Sequence, residues 1–190
     1  MSNIGKELLL SSLTDFYKKN EQYRKTLKNI IDSKNHQLSL RMIDWLVTHY
    51  SKTNNIIYWI SDKDDKIYNN IPFDNINEYN KYKKINLYLD YRAQLKSYTK
   101  FNFDSFRRHD RITFILDEIN KITIETTIGQ LNFFRWAFNN RIIEYGLLNQ
   151  KEIYDNMSKN SYKKNNKIKN KNNIIPMQDI ITTKCYLTFD

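Results

Sequence analysis

Apolar and polar positions change period along this chain, and each change marks an element. Between Arg111 and Tyr145 the change is sharpest. Ile112, Phe114 and Leu116 alternate with Thr113 and Ile115, the period of a strand. Asp117, Glu118 and Asn120 interrupt with turn-forming side chains, and Ile122 and Ile124 resume the alternation. The segment predicts a β-hairpin with a loop of about three to five residues. Thr127 follows as a helix cap, with Gln130 three positions on, where it can reach back to the cap backbone. From Leu131 the period becomes helical. Leu131, Phe134 and Phe138 share a stripe that Phe133, Trp136 and Ala137 widen. A helix apolar over so much of its circumference belongs in a core. Asn139-Asn140 predicts its left-handed stop. Asn132, Arg135, Asn139 and Arg141 are the polar remainder, expected to face solvent or a partner.

Upstream, Leu9, Leu13 and Phe16 predict a helix over 5–19, and Tyr23, Leu27, Ile30 and Ile31 continue helical spacing to residue 32. Lys18, Lys19, Arg24, Lys25 and Lys28 read as its solvated side. Ser39 caps a third helix, 39–51, with Leu40, Ile43, Val47 and Tyr50 as its stripe and Trp45 off centre. Ile56 to Ile60 is a short strand rich in β-branched and aromatic residues. Asp62 to Asp65 is a turn that lacks the glycine and distal glutamate of an EF-hand. Residues 66–82 read as an exposed loop. Ile85, Leu87, Leu89 and Tyr91 fit a strand, and Tyr88, Tyr91, Leu95 and Tyr98 a helix, so the segment predicts a switch near Leu89. Phe101, Phe103 and Phe106 read as packed. Residues 158–175 form a mobile basic loop or tether within one domain spanning 1–190. Cys185, Leu187 and Phe189 alternate as a closing strand that returns to the hairpin. The expected fold is α+β: a small antiparallel sheet, made of the central hairpin plus the C-terminal strand, packed with three or more helices.

The charge adds a partner to this picture. The net charge of +10 favours an anion: nucleic acid before an anionic membrane. Lys, Asn, Ile and Tyr share AT-rich codons, a source of lysine independent of function. One cysteine, Cys185, excludes an intramolecular disulfide and any multi-cysteine zinc site. His36, His49 and His109 lack ligand spacing. No run approaches the ~18 consecutive apolar residues that span a bilayer, so no membrane partner is expected.

Arg92, Lys96, Lys100, Arg107, Arg108 and Arg111 interleave with Tyr91, Tyr98, Phe101, Phe103 and Phe106. Guanidinium and ammonium groups pair with phosphate, and exposed rings stack on bases. If 89–100 is helical, Arg92, Lys96 and Lys100 form one i, i+4, i+8 stripe able to track a phosphate backbone. Lys163, Lys164, Lys167, Lys169 and Lys171 form a second cationic run, of the kind that binds polyanions without sequence choice. The structural alternative for both is a solvated face. Catalysis has little support: with three glycines no phosphate loop exists, and no cofactor or metal is expected. A metal-nuclease cluster of Asp104, His109, Asp110 and Asp117 has no spacing that fixes its geometry.

Three segments, LSLRMIDWLVTHYSKTNNIIYW, LYLDYRAQLKSYTKFNFDSFRRHDRITF and IETTIGQLNFFRWAFNNRIIEY, resemble a family of uncharacterised small proteins of giant nucleocytoplasmic large DNA viruses, mimivirus-like ones included. TKCYLTFD is similar to that family's closing strand. The resemblance implies synthesis in the host cytoplasm, at the viral factory, and service in virion assembly or viral gene expression. It carries no site residue. The combined expectation is a non-enzymatic viral protein that binds nucleic acid, DNA first, in packaging or late expression. The alternative is a structural or scaffold protein of the virion that binds other proteins, and a metal-dependent nuclease stands last.

Overall fold

The computed structural model describes residues 3–32, 37–64, 66–72 and 76–160. The chain divides into a compact unit to Met157 and a second, Ser158–Asp190. Residues 158–160 continue a helix, so the expected basic loop does not begin at 158. The remainder of that loop, the closing strand with Cys185, and His36 lie outside the described residues.

Helix α6 (Ile128–Asn139) is the centre of the larger unit. Leu131, Phe133, Phe134, Trp136, Ala137 and Phe138 are all buried, at roughly 1.5–3 kcal/mol for each large side chain. Thr127 caps the helix by accepting the Gln130 amide at 3.1 Å. The stop differs from expectation: the left-handed residue is Arg141, φ 54°, beyond Asn139-Asn140. Asn132 faces inward rather than outward and donates to the Asn102 carbonyl at 2.8 Å. Helix α7 (Ile142–Leu148) and a helix over 150–160 follow, with Ile153 buried.

Helix α1 (Asn3–Lys19) lays Leu9, Leu13 and Tyr17 against α6, where the Tyr17 hydroxyl donates to the Leu131 carbonyl at 2.9 Å. Arg24 is not a solvated side chain: its guanidinium donates to the Tyr17 and Lys18 carbonyls, both at 2.7 Å, closing the C-terminus of α1. Helix α2 (Glu21–Ile31) buries Leu27 and Ile30 and stacks Tyr23 on Phe138, ring centroids 4.5 Å apart. Ser39 caps helix α3 (Leu40–Trp45). This helix runs through a π turn (Leu46–Tyr50) into α4 (Ser51–Asn54), so it outlasts the expected end at 51. The Thr48 and Ser51 hydroxyls bond carbonyls four residues back, a competition with the backbone ladder that loosens a helix.

Strand β1 (Ile57–Ser61) is central in a sheet of order β2-β1-β3 that the sequence pattern does not announce. Strand β2 (Ile67–Tyr68) and a 3-10 turn (Ile76–Lys81) occupy the expected exposed loop. Two residues are too few to show a period, and β2 exists because the 62–64 turn folds it onto β1. Strand β3 (Tyr82–Asn86) pairs Ile85 with Tyr58, then passes into helix α5 (Leu87–Asn102) two residues before the expected switch, with Asn86 as its cap. The hairpin is β4 (Ile112–Asp117) and β5 (Ile122–Thr126), in register at Phe114 and Ile124. Residues 118–121 form the loop, and the Asp117 carboxylate accepts the Ile119 and Asn120 amides. Phe114, Leu116 and Ile124 face the core while Thr113, Ile115 and Glu125 face out. Among the described residues the hairpin is a sheet of its own. The architecture is α+β.

Candidate nucleic-acid interface

The six folded cations of the expected interface do not form one surface. Arg92 and Lys96 are exposed on α5 without an ion-pair partner among the described residues. The stripe then breaks. Thr99 is left-handed and extended (φ 63°, ψ 161°), so Lys100 leaves the i, i+4, i+8 line and acts electrostatically on Asp44. Asn132, by holding the Asn102 carbonyl, ties the segment after the break to α6. Arg107 turns inward, with 14% of its side chain exposed, pairs with Asp110 and lies 4.7 Å from the Phe101 ring centre. That pairing holds the Asp110 carboxyl below its ordinary value.

Arg108 and Arg111 do meet. They line a cleft of about 810 Å³ with Lys28 from α2 and Arg41 from α3. Neither Lys28 nor Arg41 lies in the cation run that sequence reasoning selected; they sit in the two preceding helices, and no local pattern links them to it. Two carboxylates share the cleft. Asp32 is paired with Lys28, and Glu125 accepts the Thr113 hydroxyl at 2.6 Å. Arg41, Arg108 and Arg111 have no ion-pair partner among the described residues. Ile31, Leu40, Phe106 and Ile124 supply the apolar wall.

The turn that carries Phe106 into this wall is pinned from several sides. The Phe106 amide donates to the Asp104 carboxylate at 2.8 Å, and the Asp104 amide to the Gly129 carbonyl at 3.2 Å. The Ser105 hydroxyl donates to Asp44 at 2.8 Å, and the Gln130 side-chain amide to the Ser105 carbonyl at 2.9 Å. Burial raises the Asp44 carboxyl above its ordinary value, against the Ser105 bond that lowers it. The backbone that carries Phe106 is thus held in place by α3 and α6.

The interleaved aromatics divide. Phe103 is fully buried, and Tyr91 and Tyr98 pack on it at 6.0 and 6.3 Å, so these three are core rather than stacking surface. Phe101 is exposed, contrary to the expectation that it packs. Asp104, Asp110 and Asp117 each serve local structure, and among the described residues no three His, Cys, Asp or Glu side chains could hold a metal ion. Lys163, Lys164, Lys167, Lys169 and Lys171 lie outside the described residues. No described helix is long and apolar enough to cross a membrane.

A family model described as a family of unknown function (DUF7197) matches residues 3–85 and 65–184. The chain belongs to that family. An uncharacterized protein of Acanthamoeba polyphaga mimivirus is 33% identical over 165 residues, 85% of this chain. The chain spans 57% of that relative's length. The giant-virus resemblance of the three segments therefore stands. Every side chain lining the cleft, Lys28 to Gln130, falls inside the DUF7197 match. No solved structure matches the chain.

Proposed function

We propose that this protein binds nucleic acid through phosphate contacts, without catalysing a reaction on it, in virion packaging or late gene expression of a giant virus. The observation that carries the reading is the convergence of Arg41, Arg108 and Arg111, beside the Lys28–Asp32 pair, on one concave surface. Three guanidinium groups, Arg41 from α3 and Arg108 and Arg111 from the segment between α5 and β4, lack carboxylate partners among the described residues and present the forked donors that phosphate oxygens accept in pairs. Arg92 and Lys96 are further exposed cations on α5, available to a longer polyanion. The viral kinship supports the setting, a viral factory or virion rich in nucleic acid.

Binding of labelled oligonucleotides measured against salt tests it. Each phosphate contact contributes about 0.7–0.9 to the slope of log affinity against log salt. Arg41→Ala, Arg108→Ala and Arg111→Ala together should flatten the slope by roughly 2–3. A slope unchanged by the triple substitution removes the cleft. Absence of any salt-dependent binding removes the function and leaves the alternative, a virion scaffold protein, for which exposed Phe101, Leu148 and Tyr154 would be the contact residues.

A further inference from the structure

We infer that the ligand of this cleft is a single strand with unstacked bases, DNA or RNA, rather than a duplex. The inference rests on the phosphate-binding reading above and names which form of nucleic acid the site takes. A duplex carries its phosphates on the outside of a stiff rod and keeps its base faces stacked within. A protein reads it with cations that protrude and with elements that enter a groove. Here Arg108 and Arg111, though exposed, line a concavity with an apolar wall, and its volume of about 810 Å³ leaves room for a nucleotide or two.

The wall supplies what a free base needs. Phe106 is half-buried, and Ile31, Leu40 and Ile124 line the cleft with it. Base faces pack on aromatic rings without regard to sequence, and the backbone that joins them follows the adjacent cations. The ring does not have to be ordered at binding. Bonds to Asp44, Asp104, Gly129 and Gln130 already fix the 104–106 turn, which lowers the entropic cost of receiving a base. The stacking surface is therefore not the interleaved run as a whole. Tyr91, Tyr98 and Phe103 are spent on the core, and Phe106 is the ring brought beside the arginines.

The test uses the full chain and fluorescence anisotropy at one fixed salt concentration. The probes are a labelled oligothymidine, the matching oligouridine, and a duplex of equal length. Both single strands should bind about tenfold or more tightly than the duplex. Phe106→Leu keeps the apolar packing and removes the π face; it should weaken single-strand binding about tenfold and leave the salt slope unchanged. Phe106→Trp should retain it. A preference for DNA over RNA, or the reverse, identifies the source and supports the inference equally. Duplex binding as tight as single-strand binding overturns the single-strand inference and leaves phosphate binding standing. Unchanged affinity in a folded Phe106→Leu overturns the role of the ring. Failure of all three probes to bind overturns the proposed function itself.

Discussion

Gln130 joins the hairpin, helix α6 and the turn beneath the cleft, so its side chain offers a sensitive test of how the site is held. Its amide donates to the Ser105 carbonyl at 2.9 Å and its oxygen accepts the Thr126 hydroxyl at 3.2 Å. All three residues are buried. Gln130→Met keeps an unbranched side chain of similar length and removes both polar atoms. Two neutral hydrogen bonds are lost, at ~1 kcal/mol each. The Ser105 carbonyl then lacks its donor inside the protein, a further penalty of roughly 1–3 kcal/mol. Burying the methionine returns about 1 kcal/mol. The net loss is about 2–4 kcal/mol, and the melting temperature should fall by roughly 4–16 °C. The Thr127 cap is unaffected, because it accepts from the backbone amide of residue 130. Urea unfolding followed by tryptophan fluorescence measures the difference directly. A loss below ~0.5 kcal/mol would refute the argument, since it would mean that the turn is fixed by other contacts.

Thr99 occupies a conformation that glycine adopts easily and a β-branched residue does not. Thr99→Gly relieves roughly 1–3 kcal/mol of strain against about 0.5–1 kcal/mol for glycine's extra freedom when unfolded. A net gain near 1 kcal/mol should appear in thermal unfolding, and a destabilised variant would contradict the break in α5. Asp44 sets a pH dependence. Burial raises its carboxyl in the fold above the ordinary 3.8, so the fold favours the protonated form. That contribution is fully present below 3.8 and is lost as pH rises through the folded value. Asp44→Asn keeps an acceptor for Ser105 and should raise the melting temperature at pH 7. The advantage should shrink as pH falls toward 4; a difference that stays constant with pH would exclude Asp44 as its source.

Local features were legible in the sequence wherever neighbours in the chain cooperate. The hairpin with its short loop, the Thr127 and Ser39 caps and the apolar α6 all depend on spacings of two to four residues. A period or a cap encodes such features, and the same short-range reading took Asn132 for a surface residue although it is buried. Strand β2 and the end of the α5 stripe were not legible: pairing with β1 makes the first, and the second falls at Thr99, after which Asn132 of α6, distant in the chain, holds the Asn102 carbonyl.

The sequence by itself determined an α+β chain with a strongly basic surface and a viral lineage. Which cations stand together was decided only in three dimensions. Six arginines and lysines between 92 and 111 looked like one patch, yet Arg107 is neutralised by Asp110, and Lys100 lies past a break. Arg108 and Arg111 acquired Lys28 and Arg41 as neighbours because Ser105 bonds Asp44 on α3 and Gln130 on α6. Charge is a property of residues, but a binding surface is a property of distances, and these distances are set by side-chain bonds between elements up to 61 positions apart in the chain.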